Sequence, residues 1–348
     1  MLCAMARPRS RRPYWATWND NDLLDLRFCD LGLRLERSIV AERMERLYAE
    51  LSLAKLRFRP HYWLSEEWFS PDGVPGIAIP FYLAHPRLAR LEARQMFEVE
   101  GGSEEWCMQL LRHEAGHAID SAYKLHRRHT WRRTFGRYGR PYPETYVPNT
   151  RSKNFVLHLD WWYAQSHPAE DFAETFAVWL RPGSQWWKHY AGWPVLRKLE
   201  YLDTLMHSIT GRRPVVHSRR HVEPLKHNRR TLREHYAQKR RHYSINVPEV
   251  YDSELRRLFP EGAPGEGRKP SAAVFLRGNQ VELCELCSRG TGEHPYVFAQ
   301  LVQEMILRCR AMKLYLTRPV DDTRVDVAIF LTTHILTYMH KVRHRVAV

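Results

Sequence analysis

Residues 110–120 read Leu-Leu-Arg-His-Glu-Ala-Gly-His-Ala-Ile-Asp, and no other stretch of the chain restricts its fold as much. His113 and His117 are four positions apart, so on a helix they stand one above the other and can turn imidazole nitrogens toward a single ion, with Glu114 beside it. Trp106, Leu110, Leu111, Ala115, Ala118, Ile119 and Ala122 recur at helical spacing, which predicts that the other faces of this helix are packed in a core. Ser103 fits the N-cap, and Glu104 and Glu105 complement the helix dipole in the first turn. The competing reading is a surface helix with two unrelated histidines. His-Glu-His on a face otherwise built for burial argues against it, because buried polar groups need partners.

A metal site on two histidines takes a third protein ligand from another element. Residues 163–176 offer one, reading Tyr-Ala-Gln-Ser-His-Pro-Ala-Glu-Asp-Phe-Ala-Glu-Thr-Phe. Pro168 suits a first helical position with His167 as N-cap, which puts Glu170 and Glu174 on one face of the helix that follows, with small Ala173 permitting close helix approach. One carboxylate can bind metal while the other orients a ligand. Glu170 also stands at the third helical position, where glutamate commonly caps. Capping alone leaves the second in-face carboxylate unexplained.

The pair HEAGHAID and HPAEDFAETFA resembles a bacterial family of zinc-binding metallopeptidases and, more distantly, catalytic domains of the anthrax lethal factor type, zincins whose third ligand is a glutamate. The resemblance is most specific from about residue 55 to about residue 210. It implies Zn²⁺ held by His113, His117 and Glu170, with Glu114 as the catalytic base. It also implies that Tyr163, seven residues before the ligand, faces the metal, that Glu174 stands behind a ligand histidine, and that Asp120 has a lesser supporting place. Glu114 would then assist the attack of water on a peptide bond, and Tyr163 would stabilise the oxyanion or occupy the metal at rest. Two other functions stay open: a zinc amidohydrolase acting on a non-peptide amide, and a nucleic-acid-associated basic protein with a structural zinc site. Glu114 disfavours the last, since a structural site needs no base and is usually closed by cysteines.

Charge bears on the partner. Lys and Arg number 54 against 39 Asp and Glu, a net charge of +15. Residues 126–153 hold eight basic residues and one acidic, and residues 212–243 hold eleven and two, so the whole excess lies in these two segments. Localised charge of this kind suggests a peptide or protein substrate that is acidic, or else two solvated basic faces; nucleic acid is a less favoured partner. Arg7, Arg9, Arg11 and Arg12 have no apolar run behind them, so the N-terminus is not read as a secretory signal, and no stretch approaches membrane-spanning length. Six cysteines are too sparse for a disulfide framework, and Cys284-x-x-Cys287 has no second pair to complete a zinc ribbon. The expectation is a cytoplasmic protein.

With 348 residues of which 44% are hydrophobic, the chain can bury a large core. The predicted fold is α+β and mainly α-helical: a zincin-like catalytic domain over 1–210, a basic segment and Pro/Gly linker over 211–270, and a small α-helical C-terminal unit over 271–348. Val40, Met44, Leu47, Tyr48 and Leu51 mark an amphipathic helix. Residues 57–64 and 76–83 read as two strands flanking the Pro71-Asp72-Gly73 turn, with Pro80 placing the second at a sheet edge. In zincins of the resembling kind an edge strand near the metal can receive an extended peptide. Helices are also expected over Arg87–Phe97, Pro194–Met206, Thr231–Tyr243, Phe298–Leu316 and Asp321–Tyr338. The long connection from His117 to Glu170, rich in Arg, Gly, Pro and aromatic residues, should lie beside the metal. Trp186, Trp187 and Trp193 are expected in the core, and the five histidines of 211–243 fit no metal pattern.

Overall fold

The computed structural model describes residues 13–244, 252–259, 270–341 and 346–347, and these are mainly helical. The first half contains α1 (Asp20–Leu24), α2 (Ile39–Leu53), β1 (His61–Ser65), β2 (Gly76–Pro80), α3 (Pro86–Met96), α4 (Glu104–Tyr123) and α5 (His129–Phe135). There follow β3 (Thr145–Tyr146), α6 (Pro168–Leu180), α7 (Trp186–His189), α8 (Leu196–Ile209) and α9 (Leu232–His242). The last stretch holds α10 (Asp252–Leu258), α11 (Ala272–Thr291), α12 (Pro295–Ala311), α13 (Val320–Lys341) and β4 (Val346–Ala347).

Helix α4 is the axis of the larger core. Ser103 caps it, accepting from the Trp106 amide at 3.2 Å. Leu111, Ala115, Ala118, Ile119 and Ala122 are fully buried along it, against Val40, Met44, Leu47 and Leu51 of α2 and Phe172 and Phe176 of α6. Beneath it the Arg112 guanidinium forks onto Glu50 of α2 with bonds of 2.7 and 2.8 Å, both side chains buried. On its other face α4 meets α6 almost backbone to backbone. A Cβ built on Gly116 would lie 2.8 Å from Ala173 Cα, so Ala173 allows the close approach and Gly116 completes it. Gly116→Val should destabilise the fold by about 1–3 kcal/mol, because the helices cannot both keep their rotamers and stay this close. Denaturant unfolding checks this, and an unchanged midpoint would mean that the crossing tolerates a side chain.

Three helices begin on a His-Pro pair. In each of α3, α6 and α12 the proline occupies the first turn, and Nδ1 of His85, His167 or His294 accepts from the backbone amide two residues on, at 3.1 Å. Such a cap fixes the tautomer: Nδ1 is the acceptor, so in the neutral ring Nε2 carries the proton.

The two strands pair in parallel, from His61 opposite Gly76 to Ser65 opposite Pro80. With two strands in the sheet, β2 stands at an edge, as Pro80 suggests. On its other side β2 is bridged antiparallel by Phe69, whose carbonyl accepts from the Ala78 amide at 2.8 Å, and Ser70 next to it donates to the Glu114 carbonyl at 3.0 Å. Phe69 and Ser70 thus bond to β2 on one side and to α4 on the other.

Packing divides further along than residue 210. Leu225, Leu232 and Tyr236 belong to the same core as α2, α4 and α6, and the amides of Val215 and Val216 bond the Ala122 carbonyl. The second core, around Leu255, Leu276, Leu283, Phe298, Leu301, Met305, Val327 and Leu331, belongs to α10–α13. Helix α11 is an addition to the two C-terminal helices expected. It contains Gly278 and Gly290 and exposes Val274, Val281 and Leu286, so no single apolar stripe announces it. Cys284 and Cys287 are both buried on α11 as free thiols. Among the tryptophans after α6, Trp186 and Trp193 are partly buried but Trp187 is 52% exposed, contrary to a core position. The Pro/Gly linker of 259–270 lies almost wholly outside the described residues. No helix among the described residues is long and apolar enough to cross a membrane.

Candidate metal centre

At the α4/α6 crossing three donor atoms face one another. His113 Nε2 to His117 Nε2, His113 Nε2 to Glu170 Oε2, and His117 Nε2 to Glu170 Oε2 each measure 3.1 Å. Tetrahedral zinc with bonds of about 2.0–2.1 Å separates its donors by roughly 3.3–3.4 Å. The triangle therefore has nearly the dimensions of one face of such a coordination shell. Two imidazole nitrogens this close, sharing one carboxylate oxygen, can be bridged by a ring N–H or by a metal ion. His113, His117 and Glu170 are the group of His, Cys, Asp or Glu residues able to hold an ion among the described residues.

A second ring of contacts aims the triangle. Glu174 Oε1 lies 2.8 Å from His113 Nδ1, so Nδ1–H donates to the carboxylate and Nε2 keeps its lone pair for the shared centre. The other Glu174 oxygen accepts from the Leu159 amide at 2.9 Å. Glu170 is not a helix cap here, because its Oε1 accepts from the Tyr142 hydroxyl at 2.7 Å while Oε2 faces the histidines. Tyr142 also stacks on the capping His167, ring centroids 3.8 Å apart. Asp120 sits one turn below His117 with its carboxylate on His126, and that ring in turn stacks on Tyr138.

Charge is strongly coupled in this cluster. Burial would drive the Glu170 pKa up, yet the adjacent His117 and His113 hold it well below the usual carboxylate range. Burial would likewise depress His113, but Glu170 and Glu174 keep it well above an ordinary imidazole, and Glu170 raises His117 in the same way.

Glu114 is different. It is 6% exposed and its Oε2 has no hydrogen-bond partner, and burial raises its pKa against the pull of His113 and His117. It faces a cavity of about 560 Å³ whose walls include Trp68, Glu100, Leu110, His113, Tyr163 and Tyr243. The Tyr163 ring centroid lies 5.8 Å from that of His113, and burial, with Glu170, Glu114 and Glu174 nearby, pushes its hydroxyl well above the usual range, so it stays a donor. Trp161 and Trp162, which bring the chain to Tyr163, both have left-handed backbones, φ 61° and 54°. That conformation is uncommon for bulky residues and costs on the order of 1–3 kcal/mol each.

The far wall comes from α9, inside the second basic segment. Three of the segment's basic residues are ion-paired: Arg230 with Glu66, Lys239 with Glu67 and Glu92, and Arg233 with Asp25. Glu100 on the same wall is pushed up to about 8, first by burial and then by Glu67.

Sequence reasoning missed Tyr142, Gly116, Trp68 and the α9 wall. Tyr142 carried only the signal of being one aromatic residue among several in the long connection, and no spacing rule ties it to Glu170. Comparison of the chain with protein-family models, with curated proteins and with solved structures finds no match.

Proposed function

We propose that this protein is a zinc-dependent metallopeptidase built on a zincin-like arrangement, with His113, His117 and Glu170 as ligands. The observation that carries this reading is the 3.1 Å triangle of donors next to a buried, unpartnered Glu114 oxygen at the head of a cleft. Structural zinc sites seldom place a base there. When bound, the ion supplies Lewis-acid polarisation of a carbonyl and lowers the pKa of water. The protein's own groups do the rest. Glu114 takes the proton of the attacking water at Oε2 and returns it to the leaving amine, a task suited by a carboxyl whose pKa burial has raised. The Tyr163 hydroxyl donates to the oxygen that gains charge. Glu174 keeps His113 in the ligating tautomer, and Tyr142 keeps Glu170 turned toward the histidines. A peptide would lie in the cavity that Trp68, Glu114 and Tyr163 line.

An acidic substrate finds little support in the cleft, where Arg230 and Lys239 are already paired. A non-peptide amide would meet the same chemistry. Five free cysteines among the described residues suit a reducing compartment, in keeping with a cytoplasmic protein.

The test is a peptide library incubated with purified protein and read by mass spectrometry. Cleavage should appear with Zn²⁺, stop on chelation and return on adding Zn²⁺. Zinc-loaded protein that cleaves no peptide would count against peptidase activity and leave the other amides to be tried.

Metal affinity should also depend on pH. His113 and His117 hold protons to higher pH than free imidazoles, and binding must displace them. Affinity is therefore weak below the raised pKa values and strengthens as pH rises through them, by up to about tenfold per unit for each proton released. Competition titration against a chelator from pH 6 to 8 should show affinity still climbing above about 6.5, the pKa of an unperturbed histidine. A plateau beginning at that value would show that the cluster does not hold its protons as the geometry indicates.

A further inference from the structure

We infer that the C-terminal helical unit supports the cleft from behind its lining: the corner between α11 and α12, Gly292–His294, holds Trp161 in place and through it positions Tyr163. The contacts stand by themselves, while the consequence for turnover rests on the peptidase reading.

Consecutive left-handed residues at Trp161 and Trp162 reverse the chain so that the Tyr163 ring faces His113. Bulky side chains leave that conformation readily unless their surroundings hold it. Here the hold comes from residues far away in sequence. The Trp161 indole N–H donates to the Gly292 carbonyl at 2.9 Å. Gly292 has φ 79°, and a Cβ there would lie 3.0 Å from the indole Cζ2, so glycine both makes the turn after α11 and lets the ring lie against it. The Trp161 carbonyl accepts from the Tyr146 hydroxyl at 2.8 Å.

The same corner reaches another residue of the cleft lining. His294, locked as the α12 cap, stacks on cleft-lining Tyr243 with ring centroids 4.0 Å apart. Its Nε2 lies 3.6 Å from Glu98, and Gln300 of α12 donates to the Tyr243 carbonyl at 3.2 Å. One corner of the C-terminal unit thus touches both the turn that presents Tyr163 and a second lining residue, Tyr243. Trp161 and Gly292 are positioning residues on this account, since neither faces the donor triangle.

Two full-length variants test it. Trp161→Phe keeps a ring and loses the donor; Gly292→Ala adds a methyl against the indole. The first readout is hydrogen exchange of metal-free protein, which needs no activity. Amides of residues 159–166 should exchange faster in both variants while those of α4 keep their protection. The second readout uses a peptide that the wild type cleaves. Trp161→Phe should lower kcat by about threefold to tenfold, the effect of one lost hydrogen bond, with KM and metal content unchanged. In a Tyr163→Phe background the same substitution should have almost no further effect, because both act through one hydroxyl. Unchanged exchange at 159–166 would overturn the inference, and so would an equal loss of kcat in both backgrounds. If the wild type cleaves no peptide, the peptidase reading fails and the exchange result alone decides whether the corner holds the turn.

Discussion

Glu114→Gln should lower turnover by about 10²–10⁴-fold while leaving metal binding intact, because the amide keeps the size of the side chain but cannot accept a proton. The geometry makes the expectation sharp. Glu114 Oε2 has no hydrogen-bond partner inside the protein and does not belong to the donor triangle, so its loss disturbs neither the fold nor the ligands. KM should move far less than kcat, since the interaction is made chiefly in the transition state. Tyr163→Phe should reduce kcat by less, because it removes one donor of the oxyanion site and leaves the base in place. Steady-state kinetics on a peptide from the library, with metal content matched among the variants, measures both. If Glu114→Gln turns over as fast as the wild type, Glu114 is not the base.

Glu50→Ala should destabilise the protein by about 3–5 kcal/mol, because it leaves the Arg112 guanidinium buried between α4 and α2 without its carboxylate. Arg112 is 5% exposed and its two bonds to Glu50 are 2.7 and 2.8 Å long. The pair as a whole need not be stabilising. Replacing both residues with apolar ones of similar size, Glu50→Leu with Arg112→Met, should cost far less than the single change. Chemical denaturation of the single and double variants checks the pattern, and a single variant within about 1 kcal/mol of wild type would show that water reaches Arg112.

How far the site was legible follows from which of its contacts are local. His113 and His117 share one helix, and Glu170 and Glu174 share another, so periodicity alone puts each pair on a common face. Ser103 and the His167-Pro168 start are equally local, since caps are read within four residues. Ala173 announced a close helix approach, but its partner Gly116 could not be singled out, because nothing in a sequence says which small residues meet. Tyr142 and Trp161 act over contacts set by tertiary packing: Tyr142 reaches Glu170 across 28 positions and Trp161 reaches Gly292 across 131. The parallel pairing of β1 with β2 was hidden for a related reason. The Pro-Asp-Gly turn suggests a direct return of the chain, whereas the chain first runs back past β2 at Phe69 before entering it. The second basic segment was read as a separate unit on charge, but Leu225, Leu232 and Tyr236 between its arginines carry it into the main core.

The most direct measurement of the central claim is anomalous X-ray diffraction from crystals grown with Zn²⁺, collected on both sides of the zinc absorption edge. The account predicts one strong peak bonded to His113 Nε2, His117 Nε2 and Glu170 Oε2, at about 2.0–2.2 Å from each, with Glu114 beside it and not ligating. Crystals of Glu170→Ala should lose that peak. Full zinc occupancy in Glu170→Ala, or a peak bonded elsewhere with the triangle empty, would contradict the assignment.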